Sequence, residues 1–205
     1  MHILRNMKSK FEAMKMIRDE VFSLNASPLY TYRVQNNFFP VIGEGSHDAQ
    51  VVFVGEAPGR NEAKTGRPFC GAAGKILDEL LSSAGIERSS VYITNIVKDR
   101  PPENRDPLPS EIEVYGPFLD RQIHIIQPKI IATLGRYSMQ YIFDKFLLGY
   151  LGTISALHGK SFNATASYGA VTIVVLYHPA AAIYNQHLKE TLLEDFKFLA
   201  HEVYR

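Results

Sequence analysis

Apolar residues in this chain follow two rhythms. Residues 9–24 set Phe11, Met14, Ile17, Val21 and Leu24 three or four apart, which predicts a leading amphipathic helix. From residue 51 the pattern changes. VVFVG (51–55), VYITNIV (91–97), KIIATLG (129–135) and VTIVVLY (171–177) are nearly unbroken apolar runs, short and rich in β-branched residues, and they predict buried strands. Between and after them lie helical patterns at 71–84 (Ile76, Leu77, Leu80 and Leu81 on one face), 110–127, about 136–147 and about 186–203. Ser110 is the expected N-cap of the 110–127 helix, with Glu111 and Glu113 in its first turn. Residues 25–50 read as an irregular linking loop over the domain surface.

Buried strands alternating with helices predict the α/β class: a three-layer α/β/α sandwich around a central, mainly parallel four-stranded sheet. Residues 1–205 are expected to form one domain, with the helix and loop of 1–49 packed on the core. In such sheets ligands bind beyond the carboxyl ends of the strands. That rule gathers four segments at one place: GEAPG after the first strand, Asn95 after the second, Gly135 after the third and HPAAA after the fourth.

Composition narrows the field. A chain of 205 residues, 46% hydrophobic, can bury a substantial core. A formal net charge of +1 leaves no global basic field, so nucleic-acid binding would have to use a local patch. The single cysteine, Cys70, can build neither a disulfide framework nor a thiolate metal site. It fits a reducing compartment. The N-terminus lacks the apolar core of a signal peptide, and no stretch approaches the roughly 20 apolar residues of a membrane span. The expectation is a monomeric cytoplasmic protein without membrane partners.

The loop GEAPGRNEAKTGRPFCGAAG (55–74) invites a phosphate-binding reading. The P-loop pattern fails, because Lys64-Thr65 is preceded by Ala63 and the upstream glycine position is Pro58. G-x-G-x-x-G does not fit either. The strand ends offer something else: the aromatic Phe69, the amide Asn95, the imidazole His178, and the acids Glu56 and Glu62. That set suits a flat heterocycle, held by stacking and read along its edge.

The stretches VVFVGEAPGRNEAKTGRPFCGAAG, VYITNIVKDRPPENRDPLPSEI, PKIIATLG and HPAAA, in this order and spacing, resemble the uracil-DNA glycosylase superfamily, and within it the family 4 (iron–sulfur) enzymes. The resemblance spans about residues 50–183. It implies a DNA glycosylase that hydrolyses the N-glycosidic bond of uracil in single- or double-stranded DNA, as in base-excision repair. Phe69 would stack on a flipped-out uracil and Asn95 would pair with its Watson–Crick edge. His178, with backbone N–H groups near Glu56 and Ala57, would stabilise charge on the departing base. Better-studied relatives position water with an Asp where Ala57 stands, so Glu56 and Glu62 are the catalytic candidates here, with an organising role for Glu62 as the alternative. Ala182, Ile183 and Tyr184 would form an apolar wedge in the DNA. Lys98, Arg100 and Arg105 would contact its backbone.

The resemblance also implies a four-iron four-sulfur cluster on four cysteines. The matching positions are Leu24, Ser27, Asp99 and Gly116, so no cluster and no other metal or cofactor is expected. Leu24, Tyr30, Tyr32, Phe38, Phe39 and Tyr115 are expected to fill the vacated region with apolar contacts. No histidine lies in 98–110, which argues against the DNA-crosslinking chemistry of a related family. Three other readings stay open: a glycosylase for hypoxanthine or xanthine, a non-catalytic DNA-lesion binder on the same fold, and an enzyme of small nucleotides.

Overall fold

The computed structural model describes residues 9–183 and 185–204. Six strands form one sheet: β1 (Glu44–Gly45), β2 (Val51–Gly55), β3 (Tyr92–Asn95), β4 (Ile130–Leu134), β5 (Lys160–Ala166) and β6 (Gly169–Leu176). Their spatial order is β1-β3-β2-β4-β6-β5. The inner four are the strands expected from the apolar runs, and they are parallel. The two edges, β1 and β5, pair antiparallel and were not anticipated. β1 has only two residues, and β5 (KSFNATA) has no apolar run because it is half exposed along its length.

Inner strands are buried on both faces, and alternate residues serve opposite layers. Val52, Val54, Ile131, Ile173 and Val175 pack with Met14, Ile17 and Val21 of α1 (Lys10–Phe22), Leu119 and Ile123 of α5 (Pro109–Ile126), and Ile142 of α6 (Arg136–Lys145). Val51, Phe53, Ile130, Ala132 and Val174 pack instead with Leu77 and Leu80 of α4 (Ala72–Ser83) and with Leu192 and Phe196 of α8 (Gln186–Tyr204). Three layers result.

Three local expectations are corrected. Residues 25–50 are not wholly irregular: they hold the short helix α2 (Tyr30–Gln35) and strand β1. The glycine-rich loop holds another short helix, α3 (Arg60–Thr65). The N-cap of α5 is Leu108, not Ser110. Pro109 takes the first helical position, where its missing N–H costs nothing, and the Glu111 carboxylate accepts from the Leu108 N–H at 2.8 Å. Beyond α6 come α7 (Ile154–Leu157) and, after β6, a 3₁₀ turn over Pro179–Ala182.

Register brings the strand tips together. Gly55 is level with Asn95, Val54 with Thr133, and Leu134 with Leu176. Whatever follows those residues shares one rim.

Candidate active site

On that rim lies a cavity of about 350 Å³, walled by Glu56, Ala57, Glu62, Phe69, Asn95 and His178. The six residues come from three stretches of the chain: the loop after β2 (56–69), the end of β3 and the turn after β6. Asn104, which no sequence motif singled out, also lines it.

Phe69 is nearly buried and adopts φ +47°, a left-handed conformation rare for an aromatic residue. Such strain persists only where the surroundings hold it. Here the helix that follows fits tightly against it: a Cβ at Gly74 would come 1.9 Å from the Phe69 carbonyl oxygen. Gly55 makes equal room on the strand side, where a Cβ would lie 2.3 Å from Asn95 Oδ1 and 2.9 Å from Phe69 Cζ. The Phe69 ring faces His178 at a centroid distance of 5.6 Å.

Asn95 is the last residue of β3 and is 2% exposed. Its Oδ1 is buried without a partner among the described residues. Buried polar atoms are normally hydrogen-bonded, so an orphan acceptor on a cavity wall marks a place where a ligand donor belongs.

His178 follows β6. Its Nδ1 accepts from the Ala180 N–H at 3.1 Å, so the neutral ring carries its proton on Nε2. Burial holds its pKa down to about 4, against an opposing pull from Glu62. The ring is therefore a neutral donor across ordinary pH.

The two acids separate in role. Glu62 Oε1 accepts from the Cys70 N–H at 2.9 Å and the Gly71 N–H at 2.8 Å, bracing the loop that carries Phe69. Glu56 is raised to about 7 by burial and, next, by the charge of Asp106, with Arg136 opposing. That places its titration at neutral pH, where a general base is most effective. No hydrogen bond engages the Ala57 N–H among the described residues.

The basic residues depart from expectation. Lys98 is fully buried and Arg100 is 4% exposed, so neither offers its charge to a phosphate. Arg100 donates to Asn104 Oδ1 at 2.7 Å and to Tyr32 Oη at 2.8 Å, and its guanidinium lies 5.5 Å from the centre of the Phe38 ring. Arg105 is partly exposed but is paired with the buried Glu111 at 2.6 Å. Exposed cations on the rim are instead Arg60, at the start of α3, and Arg136, at the start of α6 and paired with Asp106 at 2.6 Å. No motif pointed to these two. Of the expected wedge, Ala182 is buried in the 3₁₀ turn, Ile183 is half-buried, and Tyr184 lies outside the described residues.

The family model of the Uracil DNA glycosylase superfamily matches residues 42–197, which takes in every wall of this cavity. The chain belongs to the uracil DNA glycosylase superfamily. Among its relatives, the type-4 uracil-DNA glycosylase of Sulfurisphaera tokodaii is 47% identical over 187 residues, 91% of this chain and 83% of that protein. That of Archaeoglobus fulgidus is 44% identical, covering 91% of each chain. That of Thermotoga maritima is 39% identical, covering 93% of this chain and 95% of the other.

The resemblance matches Leu24, Ser27, Asp99 and Gly116 to cluster cysteines. They do not fit a cluster. Ser27 Oγ lies 2.6 Å from Tyr115 Oη, and Tyr115 donates to Asp99 Oδ2 at 2.5 Å. Arg33 pairs with Asp99 at 3.1 Å and donates to the carbonyls of Val21 and Phe22, at 3.1 and 2.8 Å, at the end of α1. Burial raises the Asp99 carboxyl above its ordinary value, against the Tyr115 hydrogen bond and the Arg33 charge. At Gly116 a side chain would collide with Tyr141: its Cβ would sit 2.6 Å from Oη and 2.8 Å from Cε2. The expected apolar filling is thus corrected. A buried polar network occupies the region, and Phe39 is half exposed.

Proposed function

We propose that this protein hydrolyses the N-glycosidic bond of deoxyuridine in DNA, releasing uracil and leaving an abasic site. The observation that carries the reading is the orphan Asn95 Oδ1, set in a cavity walled by Phe69 and a neutral His178. Its relatives named as type-4 uracil-DNA glycosylases support the same substrate.

The base enters flipped out of its strand and stacks on Phe69. Asn95 Oδ1 accepts from uracil N3–H, and the amide group donates to O4. Cytosine presents the opposite pattern at those atoms and leaves buried groups unpaired, a penalty of the kind that discriminates by about 10⁴-fold. As the glycosidic bond lengthens, negative charge gathers on the base. The Nε2–H of His178 and the Ala57 N–H are donors for it. Each such donor contributes about 3 kcal/mol in comparable oxyanion sites. Glu56, once ionised, takes the proton of the attacking water and stabilises positive charge on the sugar. Glu62 holds the loop. The Arg33–Asp99–Tyr115–Ser27 network supports the fold where the resemblance implies a cluster, and the enzyme works without iron.

The test is base release from an oligonucleotide bearing one deoxyuridine, with Asn95→Ala and His178→Ala beside the parent. Release that falls at least tenfold in both variants is expected. An inactive parent that still binds the oligonucleotide would refute the reading.

A further inference from the structure

Lys98 was expected at the DNA surface, and its burial raises a question. A buried lysine is costly unless its ammonium protons are satisfied. Nζ donates to Gln122 Oε1 at 2.6 Å, to the Asn95 carbonyl oxygen at 2.6 Å and to Thr94 Oγ1 at 2.8 Å. Burial pulls the Lys98 pKa well below the ordinary lysine value, yet all three groups that meet Nζ present acceptors, the arrangement that the three donors of an ammonium satisfy.

The acceptors are themselves locked. Thr94 donates its hydroxyl proton to the Ile42 carbonyl at 2.7 Å. Gln122 donates through Nε2 to the same carbonyl at 2.9 Å and to Tyr92 Oη at 3.1 Å. Both oxygens that face Lys98 are therefore aimed by bonds on their far sides.

The third acceptor matters most. β3 ends at Asn95, and the chain then turns. Ile96 N–H is bound to the Gly55 carbonyl and Val97 N–H to the Glu56 carbonyl, both at 3.0 Å. The Asn95 carbonyl is captured by Lys98, three residues ahead. These bonds fix the main chain on the carboxyl side of the Asn95 Cα, the β2–β3 pairing (Val54 level with Thr94) holds the amino side, and the direction in which the side chain leaves the backbone is set between them.

We infer that Lys98 is a positioning residue for base recognition: by gripping the Asn95 carbonyl it holds the Asn95 carboxamide at the angle that reads the uracil edge. The inference rests on the glycosylase reading above. It assigns Lys98 no contact with DNA.

The experiment is a double-mutant cycle in single-turnover base release, using Lys98→Met, Asn95→Ala and the pair together. Affinity for an abasic oligonucleotide is measured alongside. Lys98→Met is expected to slow release by about tenfold to a hundredfold, the scale on which small misplacements act, with abasic-DNA affinity within about twofold of the parent. In the Asn95→Ala background the same substitution is expected to change the rate by less than about twofold, because the group it positions is gone. A loss of equal size in both backgrounds would overturn the inference, as would a folded Lys98→Met enzyme with the parent's rate. Should Lys98→Met fail to fold, Lys98→Met/Gln122→Leu removes an unpaired acceptor with the donor and is read the same way. An inactive parent would sink the glycosylase reading, whereas an active parent with an additive cycle sinks only the role of Lys98.

Discussion

Replacing Glu56 by glutamine should remove one limb of the pH profile. Glu56 is raised to about 7, first by burial and then by the nearby charge of Asp106. If its ionised form is the catalytic one, about a tenth of the enzyme is competent at pH 6 and about nine tenths at pH 8, a tenfold rise in single-turnover rate across that interval. His178, held down to about 4, stays neutral throughout and contributes no limb there. Glu56→Gln keeps the shape of the side chain but cannot accept a proton. Its rate should drop by about a hundredfold or more at pH 8 and run flat from pH 6 to 8. Asp106→Asn removes a charge that raises Glu56, so it should shift the limb to lower pH with the plateau retained. The assay is base release at constant ionic strength between pH 5 and 9, with enzyme in excess. A parent profile flat over pH 6–8, or a Glu56→Gln enzyme that keeps the limb, would refute the assignment.

Two further outcomes concern the network behind the site. Arg33→Met leaves Asp99 buried without its cation and should cost about 3–5 kcal/mol in urea unfolding, whereas Arg33→Met/Asp99→Leu should cost less because no charge is stranded. Freshly purified protein should contain no stoichiometric iron by elemental analysis, and a chelator should leave its melting temperature and activity unchanged; a brown, iron-bearing preparation would contradict this.

The inner sheet was legible because parallel strands buried on both faces are nearly apolar throughout, as VVFV and IIATL are. The edge strand 160–166 was not, since a half-exposed strand carries no apolar run. At the site, Phe69, Asn95 and His178 could be placed from motif order and the strand-end rule, and all three wall one cavity. The positive charges misled for a physical reason. Lys98 and Arg100 look like phosphate ligands in a linear sequence, but their acceptors are Gln122, Thr94, Asn104 and Tyr32, which no spacing rule brings near. Asp99 likewise read as a lost cluster position and Tyr115 as an apolar filler, and only the fold reveals that they bind each other.

That last contact has a consequence for how the molecule opens. The Arg33–Asp99–Tyr115–Ser27 network ties together the end of α1, the chain before α2, α2 itself, the segment after β3 and the middle of α5. Its two ends, Ser27 and Tyr115, lie 88 positions apart in the chain. Separating the N-terminal layer would strand an acid, a phenol and a guanidinium together, so these segments are expected to open as one cooperative unit rather than fray one by one. The stretch that carries Asn95 and Lys98 is thereby tied to the interior, although it borders the cavity. Precision at the rim is underwritten from the far side of the layer.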